Sequence, residues 1–94
     1  YQANLNEADL TKASFMAANL TSANLSKVIL VEANLNGSNL RSANLFGAEL
    51  SGGSLREASM VKTNLDEVIL KNALIYGVNI LRLKVSVCLF SFFR

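Results

Sequence analysis

The sequence predicts an all-β solenoid, a chain that turns a corner every five residues and stacks its coils around a filled core. Two observations carry this. From Leu5 onward every fifth residue is large and apolar: Leu5, Leu10, Phe15, Leu20, Leu25, Leu30, Leu35, Leu40, Leu45, Leu50, Leu55, Met60, Leu65, Leu70, Ile75 and Ile80. Two residues before each of these stands a small or β-branched residue, Ala in ten of sixteen cases, with Val28, Ser38, Gly53, Thr63, Val68 and Val78 as the exceptions.

A period of five fits neither a helix at 3.6 nor a strand at 2. A five-residue step turns about 140° around a helix and would smear the apolar positions over its whole surface. The period instead asks for two side chains in and three out at each step. The two positions after each large residue are mostly polar, and Gly37, Gly47, Gly52 and Gly77 all occupy the second of them. That placement suits a corner needing a permissive φ. No proline interrupts the chain, as expected where backbone N–H groups donate to neighbouring coils about 4.8 Å away.

Between the two rows sits an amide or an acid in most units. The stretch "ANLNGSNLRSANLFGAEL", residues 33 to 50, closely resembles the pentapeptide-repeat family, whose units read small, Asn or Asp, Leu or Phe, then two polar residues or a Gly. The resemblance covers residues 1–80. It implies a right-handed quadrilateral β-helix in which four units close a coil, so that residues 1–80 make a four-coil rod and residues 81–94 form an apolar C-terminal tail. Residues twenty apart then share a column. The sixteen large residues are the expected core, with the small row letting the walls approach closely.

The same register predicts two amide columns, Asn4, Asn24, Asn44, Asn64 and Asn19, Asn39, Ser59, Asn79. Amides before a corner serve either as a polar recognition stripe or to satisfy turn backbone, and the chemistry of turns favours the second. A third column alternates Asp9, Ile29, Glu49, Ile69, and with Val31 close by it is a candidate partner face. Phe46, Val61, Leu74 and Tyr76 are further apolar residues expected to face outward. Charges pair at the twenty-residue spacing, Glu7 with Lys27 and Lys12 with Glu32, and mark register more than function.

Composition excludes much. The chain has no His and no Trp and one Cys, Cys88, so it offers no intramolecular disulfide and no zinc or iron–sulfur pattern. No glycine-rich phosphate loop and no nucleophile–base pair stands out, and neither a cofactor nor catalysis is expected. Residues 1–80 carry six basic and seven acidic side chains. That balance gives no basic stripe for nucleic acid. The resemblance also implies a second possibility, imitation of duplex DNA toward gyrase. A rod about 20 Å tall would then want roughly a dozen net negative charges, at one per about 1.7 Å, far from this balance. The expected role is a structural or protein-interaction solenoid with a partner yet to be named. No basic-then-apolar leader is visible, and a cytoplasmic location is expected.

The tail, "LRLKVSVCLFSFFR", breaks the pattern: Leu83 is large for the small row, and Lys84 and Leu89 replace the amide. It is too short and too charged for a membrane span of about 20 residues. A solenoid end exposes core and unpaired backbone, so Leu89, Phe90, Phe92 and Phe93 are expected to cap the rod or to join two copies end to end. An out-of-frame ending would account for the same break and is checked by reading the downstream DNA in three frames.

Overall fold

The structure, a computed structural model, describes residues 3–78. The twenty-residue register appears as parallel bridges between residues i and i+20, running in four columns. One column joins Asn4, Asn24, Asn44 and Asn64, a second Asp9, Ile29, Glu49 and Ile69, a third Ser14, Asn34, Ser54 and Leu74, and a fourth Asn19, Asn39 and Ser59. Each column defines a wall. Each wall segment holds one bridge residue between two corners, so the ladder consists of isolated bridges rather than extended strands.

The bond pattern follows directly. The bridge residue points both backbone groups at the preceding rung: Ile29 N–H donates to Ala8 C=O at 2.9 Å, and Ile29 C=O accepts from Leu10 N–H at 2.7 Å. Each corner closes on itself as well, as where Ala48 N–H donates to Leu45 C=O at 2.9 Å. The second corner residue has φ near +60° throughout, at eleven non-glycine residues from Glu7 to Asn72 and at Gly37, Gly47, Gly52 and Gly77. A donor at i+3, an acceptor at i and a positive φ at i+2 are the marks of a type II turn. Left-handed backbone costs a non-glycine residue about 1–2 kcal/mol. Here the same residue's N–H bonds the next rung, as Lys27 does to Phe46 C=O at 2.7 Å, and that ladder bond holds the conformation.

The interior is filled by the two inward rows. Leu25, Leu30, Leu35, Leu40, Leu45, Leu50, Leu55, Leu65 and Leu70 are buried with Met60 and Leu20, and Ala23, Val28, Ala33, Ala43, Ala48, Ala58, Val68 and Ala73 interleave with them. Leu5, Leu10, Phe15 and Ile75 are half-buried and pack against this cluster. The first rung has no rung above it among the described residues, which leaves the upper side of Leu5, Leu10 and Phe15 partly open.

Two polar residues lie in the small row's buried set. Thr63 satisfies its hydroxyl by donating to Leu40 C=O at 2.6 Å. Ser38 Oγ is buried without a hydrogen-bond partner. A buried hydroxyl left unpaired costs about 1–3 kcal/mol, and alanine already stands one rung above and one below, at Ala18 and Ala58. Ser38→Ala is therefore expected to raise the urea unfolding midpoint, by about 1 kcal/mol in stability.

Candidate interaction surface

The amide columns act on the backbone. Asn4 Oδ1 accepts from Asn6 N–H at 3.2 Å, Asn24 from Ser26 at 3.1 Å, Asn44 from Phe46 at 3.0 Å and Asn64 from Asp66 at 2.9 Å. Asn19 and Asn39 do the same for Thr21 at 3.1 Å and Arg41 at 3.0 Å. Each is an Asx turn, satisfying the N–H of the first corner residue. Asn79 and Ile80 lie outside the described residues.

Asp9 caps in the same way, accepting from Thr11 Oγ1 at 2.7 Å and Thr11 N–H at 3.2 Å. These bonds, the hydroxyl's first, hold its carboxyl below the ordinary value of 3.8. A lowered folded-state pKa contributes stability above the unfolded value and loses it as pH falls through the folded one. An NMR titration is expected to place the Asp9 midpoint below 3.8, and Thr11→Val, which keeps the backbone donor, is expected to move it part of the way back.

Of the apolar candidates, Ile69 is 44% exposed, Leu74 53% and Tyr76 76%. They lie in sequence on adjoining walls of one rung, with Lys71 and Asn72 exposed at the corner between them. Ile29, Val31 and Phe46 are half-buried. Val61, expected to face outward, is buried instead at 7% exposure. It follows Arg41 in its column, and a short β-branched side chain is readily shaded by longer stems. Leu89, Phe90, Phe92 and Phe93 lie outside the described residues.

The twenty-residue register and the Asx-capped corners match a known sequence family. The family model for pentapeptide repeats matches in eight copies over residues 1–37, 18–56 and 43–80. The chain belongs to the pentapeptide-repeat family. Among solved structures it is similar to the pentapeptide repeat protein Rfr23 from the cyanobacterium Cyanothece 51142, with a TM-score of 0.87 and 33% identity over 89% of this chain and 58% of that one. A pentapeptide repeat protein from the Arabidopsis thaliana thylakoid lumen gives 0.76 and 32% over 78% of this chain and 51% of that one. QnrB1, a plasmid-mediated fluoroquinolone resistance protein, gives 0.65 and 25% over 81% and 39%. The chain thus spans little more than half the length of the first two and less of the third. No curated protein matches it.

On this pentapeptide-repeat rod, two features escape a column-by-column reading. Ser54 lacks the amide that would cap Arg56 N–H, and Asn36 supplies it from the rung above, its Oδ1 accepting from Arg56 N–H at 2.9 Å and from Ser54 Oγ. Nothing in a five-residue motif signals a cap borrowed across rungs. An open groove of about 400 Å³ runs down the same corner past Met16, Asn36, Gly37, Arg56, Glu57 and Tyr76. Met16, 60% exposed, marks one end of it and Tyr76 the other. Elsewhere Lys12 Nζ lies 4.0 Å from Glu32 Oε1, both well exposed. Among the described residues no cluster of His, Cys, Asp or Glu is arranged to hold a metal ion, and no helix is long and apolar enough to cross a membrane.

Proposed function

We infer that the chain is a non-catalytic protein-interaction rod whose residues 1–80 wind as four right-handed quadrilateral coils. The fold reading is supported by its solved relatives. The functional reading rests on one observation, the exposed apolar band of Ile69, Leu74 and Tyr76 across two adjoining walls. Single exposed apolar residues are ordinary, whereas three large ones joined around a corner form a surface suited to a protein partner. The partner packs against Leu74 and the Tyr76 ring and meets Arg56 and Glu57 at its margin.

A photo-crosslinker at Asn72, inside the band, is expected to capture a discrete protein adduct that Leu74→Asp abolishes. The same crosslinker at Thr21, on the far corner, is expected to capture none. Equal capture at both positions would remove the support for a defined face.

The likeness to QnrB1 carries a second reading, imitation of duplex DNA toward a topoisomerase. The surface weighs against it, because acids alternate with isoleucines on the Asp9 wall and with lysines at the corners, as at Lys12 and Glu32. Inhibition of gyrase supercoiling at low micromolar protein would reverse that judgement.

A further inference from the structure

The upper edge of the first rung is self-complementary, and we propose that two copies of this chain join through it, head to head. Every bridge residue directs both its N–H and its C=O at the preceding rung, as Asn24 does toward Ala3 and Leu5 at 2.7 and 2.8 Å. On the first rung the equivalent residues are Asn4, Asp9, Ser14 and Asn19, and among the described residues neither their N–H nor their C=O groups have a backbone partner. Beneath them Leu5, Leu10 and Phe15 are only half-buried, where Leu25, Leu30 and Leu35 on the next rung are 1% exposed.

A two-fold axis lying across the rod reverses chain direction, so the facing rungs run antiparallel. In an antiparallel hydrogen-bonded pair the two residues exchange both N–H···O bonds. Residues presenting donor and acceptor on the same side can pair in this way with their own kind. The arrangement closes as an isologous dimer instead of growing into a filament. It also covers Leu5, Leu10 and Phe15.

Charge selects one axis of four. An axis through the Asp9 wall sets Asp9 against Asp9 of the partner subunit. An axis through the corner after the Asn4 wall sets Glu7 against its counterpart, and one through the corner after the Asp9 wall does the same for Lys12. The axis through the Asn4 and Ser14 walls brings no charged residue onto itself. It places Ser14 opposite Ser14 of the partner subunit and Asp9 opposite Asn19 of the partner subunit. Like charges held opposite one another disfavour a pair, so the Asn4–Ser14 axis is the one adopted.

The 94-residue chain is expected to sediment as a concentration-dependent dimer. Ser14 is exposed and its N–H bonds nothing in its own rod among the described residues, so its replacement leaves the ladder intact. Ser14→Asp and Ser14→Lys are each expected to weaken the dimer at least about tenfold by setting like charges on the axis. Mixing the two variants is expected to restore it as a heterodimer. Ser14→Pro, which deletes the edge donor without adding charge, is expected to weaken it as well. Spin labels at Ala17 and at Asn72, each in a Cys88→Ser background, report the orientation. Head-to-head pairing makes the Ala17 pair the closer, by about 30 Å for three rungs on each side. A monomer at all concentrations, a dimer with the Asn72 pair closer, or an unrestored mixture would overturn the proposal.

Discussion

Leu45→Ala is expected to lower the unfolding free energy by about 2–5 kcal/mol, in the upper half of the range for buried leucines. Leu45 is fully buried, with Leu25 one rung above and Leu65 one rung below. The cost of such a truncation depends on how far the surroundings collapse into the space. Here they are tied. Leu45 N–H bonds Asn64 C=O at 2.9 Å, Asn44 N–H bonds Ala23 C=O at 2.9 Å, and the Leu45 carbonyl is held by Ala48. A rung pinned above, below and along its own corner cannot shift inward, so the cavity persists. Leu10→Ala, on the half-buried first rung, removes less contact and leaves a space open to solvent, and it is expected to cost less. Urea unfolding of both variants checks this. A Leu45 variant no less stable than the Leu10 variant would show that the rungs do relax. Against a total of about 5–15 kcal/mol for a small domain, the loss is a large fraction of the whole.

That ordering shows which parts of the molecule the sequence makes legible. The inward rows could be read because burial repeats at the spacing of the corners, and sixteen large residues at one interval leave no helical or simple strand alternative. The twenty-residue register came from the family resemblance, and the bridges run along it. The corners were legible only in part. Four glycines pointed to a left-handed position, yet most corners place Glu, Lys, Ser, Ala or Asn there. Local propensity says little about these residues, because inter-rung bonds impose their conformation. The amides carried a recognisable turn chemistry, whereas the cap that Asn36 lends to Arg56 depends on which residue lies twenty positions away. Exposure was the least legible property. Ile69 and Val61 are both β-branched residues expected outside, and only Ile69 is exposed, since shading depends on the side chains in neighbouring columns. The tail, with Leu89, Phe90, Phe92 and Phe93, lies outside the described residues.

The functional content is thinner for the same physical reason. A rod filled by its own leucines spends its most specific residues on the core and corners. What remains for recognition is decoration that a five-residue motif leaves free: the band at Ile69, Leu74 and Tyr76, the groove beside it, and the open upper edge. These surfaces are separable by experiment, because Leu74→Asp and Ser14→Asp lie on different rungs and walls and touch different partners.

Ala48→Leu tests the small row as Leu45→Ala tests the large one. Ala48 is wholly buried, and its column reads Ala8, Val28, Ala48, Val68, with Val28 and Val68 both buried. Rungs stand about 4.8 Å apart, so a longer side chain at position 48 meets valine above and below and the opposite leucines ahead. Extra methylenes in a close-packed core force off-rotamer side chains or backbone shifts that cost about 1–3 kcal/mol. The backbone here is held by Glu49 N–H on Val28 C=O at 2.9 Å and Ile69 N–H on Ala48 C=O at 2.9 Å. Strain must therefore appear in the side chains or break a ladder bond, and the loss is expected near the top of that range, about 3 kcal/mol. Ala48→Val repeats a residue the column already accepts and is expected to cost less than half as much. Urea unfolding of the pair separates shape from hydrophobicity: leucine buries more apolar surface than valine, so a transfer-dominated core would make the leucine variant the more stable of the two. The reverse order is what walls held together by the small row require.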